Sequence, residues 1–171
     1  MKKTYLLIDG YNVIHAWRTL DKWGDDMAAA RDELLTITAD YSAYRDCLSI
    51  LVFDAPSAPI SSVEENSGVT VVFTSEEETA DSYIERTAYQ LAGQGETVYV
   101  VTSDGLEQSV ILGAGAYRIS AREWRETIKA AKKERRRKYQ TRPLGDRSEL
   151  AARLSDEVLA KLEALRRAEL K

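Results

Sequence analysis

The sequence predicts an α/β fold: a mostly parallel central sheet covered by helices on both faces, a three-layer sandwich, followed by a C-terminal helical extension. Three observations predict it. Short runs rich in Val, Ile, Leu and Phe alternate with stretches of helical length, the pattern of βαβ units. Several of these runs are almost continuously apolar, as strands buried on both faces are. Beyond Pro143 and Gly145, Leu150, Leu154, Val158, Leu162 and Leu165 recur at helical spacing, which marks a separate helical segment.

In order, strands are expected at residues 5–8, 48–53, 69–73, 97–101 and, more weakly patterned, 116–119. Helices are expected at 26–44, 79–92, 106–112 and 121–139. The stretch 54–68, with Pro56, Pro59, Gly68 and four serines, reads as a connection with no evident helix. Ser155-Asp156-Glu157 suits the cap of a second helix in the C-terminal extension. A length of 171 residues corresponds to a single domain. It comprises an α/β core of about 1–120, a basic helix of about 121–139 and the extension of about 146–171.

No apolar stretch approaches the length of a membrane span, and the apolar run behind Met1-Lys2-Lys3 is too short for a signal peptide. The single cysteine, Cys47, forms no internal disulfide, and no Cys/His cluster suits zinc. A cytoplasmic protein is therefore expected. The net charge of −4 is unevenly distributed. Residues 1–117 hold 7 Lys+Arg against 19 Asp+Glu, a net of −12, whereas 118–147 hold 12 against 4, a net of +8. An acidic body with a concentrated basic arm is the electrostatic pattern of a polyanion-binding protein. A solvated helix face is the plainer explanation of a mixed-charge helix.

Acidic residues follow the predicted strands. Asp9 ends the first, in Ile8-Asp9-Gly10-Tyr11-Asn12, and Asp104 follows the fourth, in Val101-Thr102-Ser103-Asp104. Asp81 opens the helix after the third. In a parallel sheet these positions lie on one edge, where α/β proteins bind ligands. No lysine occurs between Lys22 and Lys129, and up to residue 117 only Arg31, Arg45 and Arg86 interrupt that interval. Carboxylates gathered without a basic partner favour a bound cation, and hard oxygen ligands select Mg²⁺ or Mn²⁺. Metal-assisted hydrolysis of a phosphodiester follows from such a site.

Each residue also has a plainer role. Asp54, before Ala55-Pro56, suits a turn as well as a ligand position; Asp81 suits a helix terminus, with Thr79 or Ser75 as cap. Glu85 is equally a surface residue, and Asn12 can brace the turn after Asp9 through its amide. His15, the only histidine, has no partner for catalysis. Gly113-Ala114-Gly115 is not a dinucleotide fingerprint, and no P-loop is present. A phosphatase using Asp9 as nucleophile would want a second Asp at position 11, where Tyr11 stands.

The segments 8–14, 78–86 and 101–104, extended by Leu106-Glu107-Gln108 and by 113–123, resemble the YacP-like branch of the NYN domains. The match runs through nearly the whole chain in order. The resemblance implies a PIN-like nuclease fold with an acidic metal site. It assigns Asp9, Asn12, Asp81 and Asp104 as the catalytic set, with Asp9, Asp81 and Asp104 holding Mg²⁺ or Mn²⁺. Gln108 stands where related nucleases carry a further acid.

The resemblance further implies a metal-dependent endoribonuclease that cuts single-stranded RNA, namely mRNA in the A site of the translating ribosome, with no role for DNA or a membrane. A non-catalytic RNA- or ribosome-binding adaptor on the same fold is the alternative. RNA and the ribosome then supply a partner for Arg118, Arg122, Arg125, Lys129, Lys132, Lys133, Arg136, Arg137 and Arg142. Trp124, Ile128 and Ala131 form the inward stripe of that helix, and Tyr139 and Arg142 are placed to stack on bases or to pack.

Overall fold

A computed structural model describes residues 2–17, 20, 25–55, 57–103 and 115–140. Asp104, the expected helix 106–112, Arg142 and the C-terminal extension lie outside the described residues. The chain divides into two compact units, residues 1–131 and 132–171.

Within the first unit the described elements are β1 (Thr4–Asp9), α1 (Gly10–Ala16), α2 (Met27–Arg45), β2 (Leu48–Phe53), β3 (Ser62–Asn66), β4 (Val69–Phe73), α3 (Ala80–Gly93), β5 (Thr97–Val101) and β6 (Tyr117–Ile119). They are followed by α4 (Ala121–Gln140), of which residues 121–131 belong to this unit. Six strands form one sheet in the order β3-β4-β2-β1-β5-β6. All pairs are parallel except β3 with β4. The expected α/β architecture is thus present, with two differences.

The first difference is β3. Residues 54–68 do contain a strand, which turns back through Ser67 and Gly68, both at positive φ, to pair antiparallel with β4. All five of its residues are exposed, so it lacks the apolar alternation by which a half-buried strand is recognised. The second is α1, a seven-residue helix directly after β1. It is too short to develop a helical period, and Asp9 at the strand end doubles as its cap by accepting a hydrogen bond from the Asn12 N–H (3.0 Å).

Side-chain alternation along the strands divides the core into two layers. Leu6, Ile8, Leu51, Phe53, Val71 and Val101 face α1, α2 and the start of α4, packing with Val13, Ile14, Leu34, Trp17 and Trp124. Leu7, Val52, Val72, Val98 and Val100 face α3, packing with Ala80, Ile84 and Ala88. The inward stripe expected on the basic helix is buried: Trp124 is 0%, Ile128 6% and Ala131 8% exposed. That helix starts from a capping box. Ser120 and Glu123 exchange hydrogen bonds, Ser120 N–H to Glu123 Oε2 (2.8 Å) and Glu123 N–H to Ser120 Oγ (3.2 Å). The Trp17 indole N–H fastens the start of α4 by donating to the Ala121 carbonyl (2.8 Å).

Candidate active site

The sheet order places β1 between β2 and β5, so the chain leaves β1 toward one side and later returns on the other. This is the topological switch point, where an α/β sheet opens a crevice at its carboxyl edge. Asp9 stands at the end of β1 on that edge, half-buried. By alternation it shares the α3 face with Leu7, two residues before it. Asp54 follows Val52 in the same way at the end of β2.

Asp9 lies within hydrogen-bonding reach of the Asp81 side chain and within electrostatic reach of Asp54. The Asp9 carboxyl is raised from its ordinary value of 3.8 to about 6, chiefly because it is buried. The Asn12 N–H opposes this by stabilising the anion, while the charges of Asp81 and Asp54 and a hydrogen bond with the Asp81 side chain push the value up. Two carboxyl groups within hydrogen-bonding reach hold one proton between them more readily than two negative charges. Asp9 therefore keeps its proton well into the range where a free aspartate has lost it.

Asp81 lies in the first turn of α3, exposed, beside the positive end of the helix dipole. The cap of that helix is Thr79, whose Oγ1 accepts from the Ser82 N–H (3.2 Å). Asp81 is therefore not needed for capping. Asp54 has a different task. Its Oδ1 accepts from the Ala80 N–H (2.7 Å) and from the Thr74 hydroxyl (3.2 Å), tying the ends of β2 and β4 to the start of α3. It positions the helix that carries Asp81.

Asn12 spans the switch point. Its Oδ1 accepts from the Ser103 N–H (2.8 Å), joining the segment after β1 to the segment after β5. The turn-bracing role read from sequence is therefore a bond over 91 residues of chain rather than a local one. Asp104, next along that segment, lies outside the described residues. Glu85 is exposed on α3 and His15 is exposed on α1.

Gly10 sets how closely these parts approach. A Cβ at this position would stand 2.2 Å from Cε1 of the buried Phe53 ring, so only glycine lets α1 begin directly over β2. Phe53 stacks on Phe73 (centroids 5.5 Å apart) and meets Tyr11 edge-on (5.1 Å). Neither contact is legible in sequence, because the residues lie on three separate segments.

The donor chemistry fits a hard divalent cation. Asp9 and Asp81 offer paired oxygens, and the Asp9 value, raised chiefly by burial and further by the charges of Asp81 and Asp54, marks a carboxylate that a cation would stabilise. Among the described residues no three His, Cys, Asp or Glu side chains stand close enough together to hold one ion. Of the expected basic residues, Arg122, Lys129, Lys132, Lys133, Arg136 and Arg137 are exposed on α4 and Arg125 is half-buried there. Arg118 is half-buried on β6, with its Nε out of solvent.

A parallel α/β sheet with carboxylates at its switch point suits a nuclease-type domain, and sequence comparison makes this specific. The chain belongs to the YacP-like NYN domain family, which matches residues 6–167. It is 40% identical to the protein YacP of Bacillus subtilis (strain 168) over 171 residues, covering 96% of this chain and 98% of that one. Crystal structures of Rae1 (YacP) from Bacillus subtilis superpose on it at 35% identity. One, of a tryptophan-to-leucine mutant, has a TM-score of 0.70 and covers 96% of this chain and 99% of its own. The other has a TM-score of 0.68, with coverages of 99% and 97%.

Proposed function

We propose that this protein is a metal-dependent endoribonuclease that hydrolyses phosphodiester bonds of single-stranded RNA, acting in the cytoplasm on mRNA in the A site of the translating ribosome. The observation that carries the reading is the half-buried Asp9 carboxyl, raised to about 6 beside Asp81 and Asp54 at the switch point of a nuclease-type sheet. Asp9, Asp81 and Asp104 would hold Mg²⁺ or Mn²⁺. Such an ion, when bound, supplies positive charge at the phosphate and a water acidic enough to attack it.

The chain's own residues do the positioning. Asn12 holds the exit of β5 against the exit of β1, and Asp54 holds the start of α3 against the ends of β2 and β4. Asp9 and Asp81 are thereby carried on a strand end and a helix terminus rather than on free loops, as a precise site requires. Exposed cations on α4 support an RNA or ribosomal partner, because phosphate contacts supply most of the affinity for nucleic acid.

The test is a translation reaction with wild-type protein or Asp104→Asn, followed by mapping of mRNA ends. Cleavage confined to translated regions and lost in the variant is expected. Cleavage by Asp104→Asn at the wild-type rate would refute the site assignment. Equal cutting of naked RNA would remove the ribosome from the reading. Ribosome binding without cleavage by the wild type would favour an adaptor.

A further inference from the structure

An acidic site that cleaves a polyanion needs a cation beside it, and the sequence offers few. Lys2, Lys3 and Arg45 line a cavity that also holds Thr4 and Cys47, at the start of β1 and just before β2. That is the edge of the sheet opposite the carboxylates. Arg86 is held by Glu78 through two hydrogen bonds of 2.9 Å. Arg31 is different. It lies in the first turns of α2, the helix that begins at the carboxylate edge and runs down to β2.

Its guanidinium is half-buried and fixed from two sides. Nη1 donates to the Tyr11 hydroxyl (3.0 Å), two residues beyond Asp9, and Cζ lies 5.8 Å from the centre of the Phe73 ring. Tyr11, Phe53 and Phe73 form a continuous aromatic ledge under it. Strand alternation sets this ledge on the α1/α2 face, one residue out of phase with Asp9 and Asp54 on the α3 face. The same strand ends thus present carboxylates on one side and a guanidinium on the other.

We propose that Arg31, seated on this ledge, is a phosphate-binding subsite for the RNA strand, holding a phosphodiester next to the one that is cut. The inference rests on the nuclease reading above. A guanidinium has five N–H donors in a planar fork suited to phosphate. Among the described residues Tyr11 takes one, and no acidic side chain forms an ion pair with Arg31. A purely packing role would be met by the aromatic contact alone. The bond that Arg31 donates to Tyr11 in addition fixes the rotation of the fork, which is what an oriented anion contact requires. The location also matches the electrostatic need: the Arg31 guanidinium gives a substrate phosphate one attractive charge against the repulsion of a body with a net charge of −12 over residues 1–117.

Binding of a short fluorescein-labelled oligouridylate, followed by anisotropy in EDTA over a series of salt concentrations, tests this. Arg31→Gln is expected to weaken binding about tenfold, the size of a lost charge-assisted contact. It should also make the slope of log K against log[salt] shallower by about 0.7, one phosphate of a single strand. Arg31→Lys should restore the slope with part of the affinity. Tyr11→Phe keeps the charge but releases the fork, so it should weaken binding about threefold at unchanged slope. Asp9→Asn, which leaves Arg31 intact, should bind at least as tightly as wild type. Wild-type affinity and slope in Arg31→Gln would overturn the subsite while leaving the nuclease reading standing. Failure of the wild type to bind the oligouridylate would overturn the subsite too, and the nuclease reading would then be decided separately by the translation reaction with Asp104→Asn.

Discussion

Asp9→Asn separates what the site does for chemistry from what it costs the fold. The Asp9 carboxyl is raised from 3.8 to about 6 in the folded protein. Because the folded state holds the proton more tightly than the unfolded chain, the associated stability is complete below about pH 4 and is lost as pH rises through about 6. At about 1.4 kcal/mol for each pH unit of displacement, the ionised carboxylate destabilises the protein by about 3 kcal/mol at neutral pH. Solvent reaches part of the group, and screening reduces this to about 1.5 kcal/mol. Asparagine keeps the Oδ1 that accepts from the Asn12 N–H, and Asn caps helices about as well as Asp. The variant therefore removes the charge without removing the cap.

Thermal unfolding in EDTA at a series of pH values should show Asp9→Asn equal to wild type near about pH 4. Its advantage should grow through about pH 6 to roughly 3–6 °C near neutrality, at about 2–4 °C per kcal/mol for a chain of this size. Cleavage should be abolished in the same variant. Adding Mg²⁺ in place of EDTA should raise the wild-type midpoint more than that of the variant, since a ligand that binds only the folded state stabilises it. Equal midpoints across the pH range, or an advantage that grows toward acid, would refute the assignment of Asp9 as a strained carboxylate.

Two further substitutions probe the scaffold. Gly10→Ala places a Cβ 2.2 Å from Phe53 Cε1 and should lower stability by about 1–3 kcal/mol by overpacking. Gly93→Ala, which meets nothing within 4 Å, is the control, and urea midpoints compare the two. Asn12→Ala removes the acceptor for the Ser103 N–H. It should cost about 1–2 kcal/mol, and amide hydrogen exchange at Ser103 should lose its protection selectively. Unchanged protection there would show that Asn12 does not hold the β5 exit.

The parts of the fold legible in sequence are those that follow from a local period. Leu48–Phe53, Val69–Phe73 and Thr97–Val101 are apolar because both faces of the sheet are covered, and they were recognisable for that reason. Ser62–Asn66 was not, because an exposed edge strand paired on one side carries Glu64 and Glu65 where a core strand would carry apolar residues. The same distinction holds at the site. Asp9 and Asp81 were legible because the end of a parallel strand and the start of the next helix are topological positions, readable from element order. The duties of Asp54, Asn12 and Gly10 were not, since each depends on a partner 26, 91 and 43 residues away.

Arg31 shows why a charge count along the chain is a weaker guide than its placement. In sequence it is one of the three arginines that stand between Lys22 and Arg118, a stretch without lysine, and that scarcity argues for a metal at the carboxylates. In the structure it sits on the other face of the same strand ends, bonded to Tyr11 and resting near Phe73. The two observations are compatible only if the cations have different tasks. A divalent ion would offset the carboxylates, whereas a guanidinium one face away is too well held by its aromatic neighbours to pair with them. Alternation at the end of β1 and β2 is what keeps them apart, since a one-residue slip in either strand would exchange the faces. The register that pairs Asp9 with Val52 and Phe53 with Phe73 therefore fixes which face carries the carboxylates and which the guanidinium.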